Sequence, residues 1–376
     1  MNGFSGPADR WARLFGFDSH PQMQNIIRPK RVGIYLPRQA QNQTKEERYS
    51  LELEVLSPIA ELIELPGDSI DAFAESARYL DAIITSWGIR IDKRVIDGLD
   101  RCVVIGLGSI GVDMVDLDAA TAAGIVVTNV PDVFVEEVAD HAVMLLLDCA
   151  RMTRTMARMV REGQWYQGRP IVSRVPRLFG QTLGLFAFGN VARCTARRAQ
   201  AFGMRVIAHD PYVSEVEFSA AGVEPVTFGE LLGRSDFLSL HAPHNAETEH
   251  IIDAEALGRM KHTAILINTA RGPLIDEEAL IAALQAQIIA GAGLDVLELE
   301  PPRPDNPLLA MENVVLTPHV ASASTRMRPE TRRRAAREVA LTLRGRWPMS
   351  CANPTVLPRV VLERWQPYPM DRGPGR

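Results

Sequence analysis

Three polar residues, far apart in the chain, each follow a short apolar run that is typical of a buried strand: Arg271, Glu300 and His319. The runs cover 264–270, 293–296 and 314–318. Ligands of open parallel sheets bind outside the carboxyl ends of the strands, so we expect the three side chains to share one such edge. Each residue alone would be an ordinary surface residue. Together they predict a site that holds a carboxylate on an arginine fork and moves a proton through a histidine.

The composition limits the classes of ligand that this site can bind. The 376 residues suit about two domains at roughly 150 residues each. With 41 basic and 46 acidic residues the net charge is −5, so we expect no nucleic acid and no membrane as partner. The four cysteines form no CxxC pair, which favours a reducing cytoplasm and indicates neither a disulfide nor a metal site. A small molecule is therefore the expected ligand.

Strand-like runs alternate with helix-like stretches from residue 31 onward, which predicts an α/β fold of two Rossmann-like, doubly wound parallel-sheet domains. The predicted parts are an N-terminal extension over 1–30, a substrate domain formed by 31–129 together with 321–376, and a nucleotide-binding domain over 130–320. The first domain is expected to be discontinuous because the segment after His319 is too short to form a domain and should pack back on it. Apolar residues at helical spacing predict one long helix from Glu136 to Glu162.

A degraded dinucleotide fingerprint opens the strand and helix series of the second domain. A strand over 182–186 runs into residues 187–192, where G-x-G-x-x-G/A would begin a Rossmann unit. The residues expected to line the phosphates are Phe188, Gly189, Asn190 and Val191. Gly189 lets backbone approach a pyrophosphate, and Ala192 is allowed where the helix packs on the sheet. Ala187 departs from the pattern, because a methyl group at the tight turn is expected to shift the loop and weaken phosphate binding.

The end of the next strand supports the interpretation of residues 187–192 as a dinucleotide fingerprint. This strand covers 205–209 and ends at Asp210, eighteen residues beyond Ala192. An acidic side chain there accepts hydrogen bonds from the adenosine ribose, and its charge would repel a 2′-phosphate. The predicted cofactor is therefore NAD rather than NADP. The alternative is a βαβ unit that binds no nucleotide, with Asp210 only starting a turn before Pro211.

A loop rich in histidine follows the strand over 236–240. Its polar and small residues are His241, Ala242, Pro243, His244, Thr248 and His250. Three histidines at this spacing suggest a metal site, but the loop lacks a set of carboxylates and lies at a strand end of the nucleotide-binding half. We therefore expect it to line the cofactor, through His241, Ala242, Pro243 and Thr248.

Together these segments resemble the D-isomer-specific 2-hydroxyacid dehydrogenase family, which includes phosphoglycerate dehydrogenases and the C-terminal-binding-protein corepressors. The likeness covers about residues 31–358. It rests on Val130-Pro131, the run 136–141, the fingerprint with Asp210, Asn268-Thr269-Ala270-Arg271-Gly272, Leu294-Asp295-Val296 with Glu300-Pro301, and Thr317-Pro318-His319. As a set, in this order, these motifs are specific.

The resemblance implies roles for particular residues. Arg271 is the catalytic arginine, Glu300 the acid partner and His319 the acid/base. Further cofactor contacts fall on Thr269, Ala270 and Asp295, the last near the nicotinamide carboxamide. The loop 109–113 resembles the carboxylate-binding loop of the family, so the implied substrate contacts are Trp87, Ser109, Ile110, Gly111 and Arg271. Met114 stands where the family usually has Asn, and Leu107 where many relatives carry Arg, so the shape of the pocket stays open.

The activity implied is hydride transfer between NAD and C2 of a small 2-hydroxy or 2-oxo acid, by a homodimer. Two alternatives stay open. A dinucleotide-sensing protein like the corepressors stays open because of Ala187, Met114 and the N-terminal extension, but such a protein has no need of the whole triad. A phosphite dehydrogenase is also compatible with these motifs, whereas formate enzymes carry a glutamine where Glu300 stands.

Overall fold

The structure is a computed structural model that describes residues 28–36, 43–167 and 169–364. These residues form two parallel β-sheets with helices between most consecutive strands. The strands are β1 (Lys30–Ile34), β2 (Ala60–Glu64), β3 (Ala82–Thr85), β4 (Val104–Leu107), β5 (Val126–Thr128), β6 (Thr182–Phe186), β7 (Arg205–His209), β8 (Glu224–Pro225), β9 (Phe237–Leu240), β10 (Ile265–Asn268), β11 (Gly291–Leu294) and β12 (Val314–Leu316). The helices are α1 (Lys45–Arg48), α2 (Ser50–Leu56), α3 (Ile70–Ala77), α4 (Lys93–Asp97), α5 (Leu117–Ala122), α6 (Val135–Arg151), α7 (Thr153–Arg161), α8 (Asn190–Ala201), α9 (Glu215–Ala220), α10 (Phe228–Arg234), α11 (Ala254–Arg259), α12 (Glu277–Gln285) and α13 (Met327–Leu343).

Both sheets have the strand orders of doubly wound folds. The first runs β2-β1-β3-β4-β5 and the second β12-β11-β10-β9-β6-β7-β8, with all pairs parallel. In the second sheet the order reverses between β6 and β9, so the connections leave in opposite directions and open a crevice beyond the carboxyl ends of the strands. The predicted fold class is confirmed.

The central strands are buried on both faces, which is why they read as continuous apolar runs rather than alternating ones. All four residues of β3, β4, β9, β10 and β11 are buried. Among the described residues, no helix is long and apolar enough to cross a membrane.

The last helix, α13, packs on the first sheet although it follows the last strand of the second. Ala335, Val339 and Ala340 share a core cluster with Val32 and Val104 of that sheet. A side chain at residue 106 would collide with Val339. Arg332 also pairs with Glu52 of α2, whose carboxylate is fully buried. The predicted discontinuity of the first domain is confirmed.

The exact domain boundaries, at 129/130 and 320/321, stay predictions. Most of the predicted N-terminal extension, 1–27, and the segment 365–376 lie outside the described residues.

The prediction of one helix from Glu136 to Glu162 is wrong. The chain forms α6 and α7, and Met152 between them has a left-handed backbone with φ of 50°. Left-handed residues that end helices are usually glycine, so a methionine gives no sequence signal for the break. The two helices also differ in burial: α6 packs its apolar side on the second sheet, whereas no residue of α7 is buried.

Candidate active site

The three polar residues named first do lie at one edge of the second sheet. Arg271 follows β10, Glu300 lies in the loop after β11, and His319 lies just past β12, on three adjacent strands. The Nδ1 atom of His319 is 2.6 Å from Oε2 of Glu300. The other carboxylate oxygen accepts the backbone N–H of Leu297 at 3.1 Å, which holds the glutamate in place. Both side chains of the pair remain partly exposed, so a ligand can reach them.

The pairing sets the protonation of both groups. The hydrogen bond to Glu300, together with its negative charge, raises the pKa of His319 against the effects of burial and of the Arg271 charge. Burial alone would raise the pKa of Glu300, but the hydrogen bond and charge of His319 outweigh it and the pKa is lowered. Each group therefore stabilises the charged form of the other, and the pair is expected to titrate as a unit.

Buried Asn268, the last residue of β10, shapes the turn that carries Arg271. Its amide oxygen accepts the backbone N–H of Ala270 at 2.9 Å, and its amide nitrogen donates to the carbonyl of Arg271 at 2.8 Å. The next residue, Gly272, lies against the backbone of Leu297, where a side chain would overlap the Leu297 carbonyl. The glycine therefore brings the Arg271 turn against the loop that leads to Glu300.

The loop after β4 brings the predicted substrate contacts to the same place. Ser109 Oγ donates to the carbonyl of Gly111 at 2.7 Å, and the Asn129 side chain donates to the carbonyl of Ile110 at 2.7 Å. Gly111 lies against the guanidinium of Arg271, with no room for a Cβ atom. Trp87, just past the neighbouring strand β3, has 48% of its surface exposed.

A small apolar cluster joins the substrate loop to the nucleotide loop. Its buried members are Val130, Phe134, Val138 and Ala321, with Ile110, Val133, Val191 and Met327 packed against them. Ile110 was predicted to contact substrate and Val191 to contact cofactor. Because both residues pack on the same cluster, the predicted substrate and cofactor sites lie side by side.

The nucleotide loop keeps the turn that the fingerprint requires despite its missing glycine. Ala187 adopts φ of 67°, in the left-handed region, and its N–H donates to the carbonyl of His209 at 2.9 Å. A non-glycine residue in this region is strained by about 1–2 kcal/mol. Ala187, where the fingerprint has glycine, therefore keeps the same turn with a strained backbone.

The residues present fit a dinucleotide. Asp210 accepts the N–H groups of Phe188 at 2.8 Å and Tyr212 at 2.9 Å, so its carboxylate is fixed beside the loop. Helix α8 begins after Gly189 with no side-chain cap among the described residues, and a Cβ on that glycine would meet open space. The first N–H groups of the helix are thus available to a pyrophosphate. Thr269 adds a buried hydroxyl for which the described residues offer no hydrogen-bond partner.

The three histidines of the loop after β9 do not share one site. His241 lies 2.9 Å from the Ser239 hydroxyl, and burial lowers its pKa to about 4, so the ring is neutral. His250 pairs instead with Glu298, while His244 keeps a buried Nε2 atom without a partner in the described part of the chain. Thr248 donates to the carbonyl of Pro243 at 2.7 Å and closes the turn, and Ala242 is buried in the core.

Beneath His319 lies a polar network that sequence reasoning did not assemble. Asp295 is 2% exposed and accepts the Thr317 hydroxyl at 2.6 Å and the N–H groups of Val320 and Ala321 at 2.9 and 2.8 Å. His141 Nε2 is 2.8 Å from the same Thr317 hydroxyl. Because the one hydroxyl hydrogen goes to Asp295, His141 must donate from Nε2.

This network anchors the loop 317–321, which contains His319. The N–H of His319 itself donates to the carbonyl of Asp295 at 2.8 Å, and His319 has φ of 51°. Asp295, which was expected near the nicotinamide, therefore uses both carboxylate oxygens to accept hydrogen bonds from the loop 317–321. The sequence motifs that contain His141 and Thr317 could have pointed to this network. Which of their polar groups bond to each other depends on how α6 packs against β11 and β12.

The chain is similar to known proteins over most of its length. A family model described as D-isomer specific 2-hydroxyacid dehydrogenase, NAD binding domain, matches residues 143–321. A glyoxylate reductase of Korarchaeum cryptofilum is 43% identical over 288 residues, covering 75% of this chain and 86% of that protein. A D-3-phosphoglycerate dehydrogenase of Methanocaldococcus jannaschii is 35% identical over 317 residues, covering 84% of this chain but only 60% of that protein. A solved glyoxylate reductase from Paecilomyes thermophila has a TM-score of 0.76 at 29% identity, covering 86% of this chain and 99% of that one.

The chain belongs to the D-isomer specific 2-hydroxyacid dehydrogenase family. It is an NAD-dependent oxidoreductase of the class that acts on CH–OH donors. The predicted family and the predicted use of NAD are confirmed, and the preference for NAD over NADP stays a prediction.

Proposed function

We propose that this enzyme interconverts a small 2-oxo acid and the corresponding 2-hydroxy acid, with Arg271 holding the carboxylate and His319 as the acid/base. The pairing of His319 Nδ1 with Glu300, next to the Arg271 turn, carries this proposal. An arginine fork suits a 2-oxo acid because it bonds the carboxylate, polarises the neighbouring keto oxygen and keeps its charge at any working pH.

NADH, when bound, supplies the hydride that C2 receives. Because Nδ1 of His319 is engaged by Glu300, its Nε2–H is the proton donor to the keto oxygen. In the oxidative direction the neutral ring takes the hydroxyl proton at Nε2. Glu300 stays ionised throughout, orients the ring and favours its charged form. Backbone of the loop 109–111 faces the substrate carboxylate from the other domain.

Glyoxylate is the first substrate to test. The Korarchaeum relative, which this chain matches over 86% of its length, is a glyoxylate reductase, whereas the chain spans only 60% of the Methanocaldococcus phosphoglycerate dehydrogenase. The second candidate, favoured by the 35% identity to that dehydrogenase, is an oxidation of D-3-phosphoglycerate.

The test measures NADH oxidation with glyoxylate, pyruvate, hydroxypyruvate, phosphohydroxypyruvate and bulkier 2-oxo acids, and NAD reduction with phosphite. NADPH is compared with NADH, because Asp210 should disfavour the 2′-phosphate. Turnover of glyoxylate or another small 2-oxo acid supports the proposal. Binding of NADH without turnover of any acid would favour the sensing alternative.

We also propose a homodimer, built on the face of α7 and the segment after it. Val160 and Trp165, five residues apart in the chain, are 52% and 66% exposed and leave apolar surface that a second copy of the chain can cover. Light scattering after size exclusion should give twice the 41.5 kDa mass of the chain. A Trp165→Glu variant that leaves this mass unchanged would exclude Trp165 from the interface.

The proposed compartment is the cytoplasm. All four thiols are free in the structure, which fits a reducing environment.

A further inference from the structure

Arg271 is held by a residue of the other domain. Its Nε atom donates to Oδ2 of Asp113 at 2.8 Å, with 29% of the arginine side chain and 40% of the aspartate side chain exposed. Asp113 lies in the loop after β4, whereas Arg271 follows β10. One ion pair therefore links the substrate loop to the catalytic arginine across the two domains.

The remaining contacts of Arg271 fix the direction of its fork. Nη1 donates to the carbonyl of Ala270 at 2.6 Å, and Nη2 lies against Gly111, where a Cβ atom would overlap it. Among the described residues no acceptor bonds to Nη2. The Nε–H group and one N–H of Nη1 are thus occupied, and the second N–H of Nη1 and those of Nη2 are left for a ligand.

We propose that Asp113 is a positioning residue that turns the Nη1–Nη2 end of Arg271 toward the substrate carboxylate. Resting on the proposed function, this assigns to Asp113 the orientation of the binding fork and not any part in proton or hydride transfer. An arginine whose Nε is unpaired can rotate about its last side-chain bonds and must be ordered again when substrate binds. Asp113 removes that ordering step, so its loss weakens substrate binding.

The expected signature is a change in KM rather than kcat, because the ion pair is the same before and during the reaction. Asp113→Ala should raise KM for glyoxylate about tenfold, which corresponds to about 1.4 kcal/mol. Asp113→Asn keeps an oxygen that can accept from Nε and should recover part of this loss. The kcat value should stay within about threefold, and the NADH dissociation constant should not change, since Asp113 lies outside the nucleotide loop.

Oxamate gives a second readout that does not depend on turnover. It carries the carboxylate and carbonyl of a 2-oxo acid but cannot be reduced in the same way, and its binding to the NADH complex is followed by NADH fluorescence. Its dissociation constant should rise by the same factor as KM in Asp113→Ala and by less in Asp113→Asn.

Asp116 provides the matched control, because it lies three residues further along the same loop and caps α5 by accepting the N–H of Ala119 at 2.9 Å. Asp116→Ala should lower the melting temperature without raising KM or the oxamate dissociation constant.

The outcomes separate the two proposals. If the wild-type enzyme turns over no 2-oxo acid and its NADH complex does not bind oxamate, the proposed function fails and the role of Asp113 fails with it. If the wild type turns over and Asp113→Ala leaves both constants within twofold, only the role of Asp113 is overturned. A lower KM in Asp113→Ala would also overturn it, since the aspartate would then compete with substrate for the arginine.

Discussion

Replacing Thr317 by valine tests whether the network beneath His319 supports the loop 317–321 and the proposed role of His319. Valine keeps the shape of threonine but removes the hydroxyl that bonds to Asp295 at 2.6 Å and to His141 at 2.8 Å. A hydrogen bond to an ionised group contributes about 1.5–3 kcal/mol and one between neutral groups about 0.5–1.5 kcal/mol. Thr317 is only half-buried, so water replaces part of this, and the added methyl group recovers up to about 0.8 kcal/mol.

The expected net loss in the free energy of unfolding is about 1–3 kcal/mol. Asp295 keeps its bonds to the N–H groups of Val320 and Ala321, so the loop should loosen rather than unfold. The backbone bond from His319 to Asp295 is nevertheless part of the same network, and a displaced ring should lower kcat about tenfold, or 1.4 kcal/mol in the barrier.

Urea denaturation followed by fluorescence and by circular dichroism gives the stability change, provided that the two probes agree. Glyoxylate-dependent NADH oxidation gives kcat. Thr317→Ser, which keeps the hydroxyl, is the matched control and should stay within about 0.5 kcal/mol of the wild type. Equal stability and kcat in the valine, serine and wild-type proteins would refute the supporting role of the network.

Three further substitutions test other parts of the site. His319→Ala should lower kcat by about 10²-fold or more, the scale of general acid/base catalysis, and leave NADH affinity nearly unchanged in a fluorescence titration; a parallel loss of NADH binding would contradict the assignment. Glu300→Gln removes the charge that raises the pKa of His319, so the alkaline fall in the reductive rate should move to lower pH in a pH–rate profile, and an unmoved profile would count against the pair. Ala187→Gly relieves about 1–2 kcal/mol of strain in the left-handed backbone, while the greater freedom of glycine in the unfolded chain costs about 0.5–1 kcal/mol. The melting temperature should therefore rise slightly, and NADH should bind equally well or modestly tighter. A lower melting temperature would show that the turn is not strained.

Residues at the ends of buried strands were predictable from the sequence, because parallel strands bring their carboxyl ends to one edge. The runs before Arg271, Glu300 and His319 marked those ends within a few residues, and β6 and β7 have the predicted bounds. The local pattern of apolar residues is sufficient for such elements, since each strand is buried on both faces.

Contacts between distant loops were not predictable. Nothing local to Asp113 indicates that Arg271, 158 residues away, lies beside it, because that depends on how two domains meet. The break at Met152 was missed because its apolar spacing continues through a left-handed residue that is not glycine. The acceptors and donors around Asp295 depend likewise on a loop conformation, with His319 at positive φ, that no residue type specifies.

The position of α13 in the chain has a consequence for biosynthesis. During translation all strands of both sheets are made before residues 327–343, so the face of the first sheet around Val32 and Val104 lacks the cover of α13 until those residues are made, although Leu56 of α2 already packs in the same cluster. The second sheet has every strand once residue 316 has left the ribosome. The nucleotide-binding half can therefore finish folding before the half that was synthesised first, whose partly uncovered apolar face must be kept from aggregating until α13 is made. A chain stopped before residue 327 should retain NADH binding by its second half but be captured by chaperones through its first.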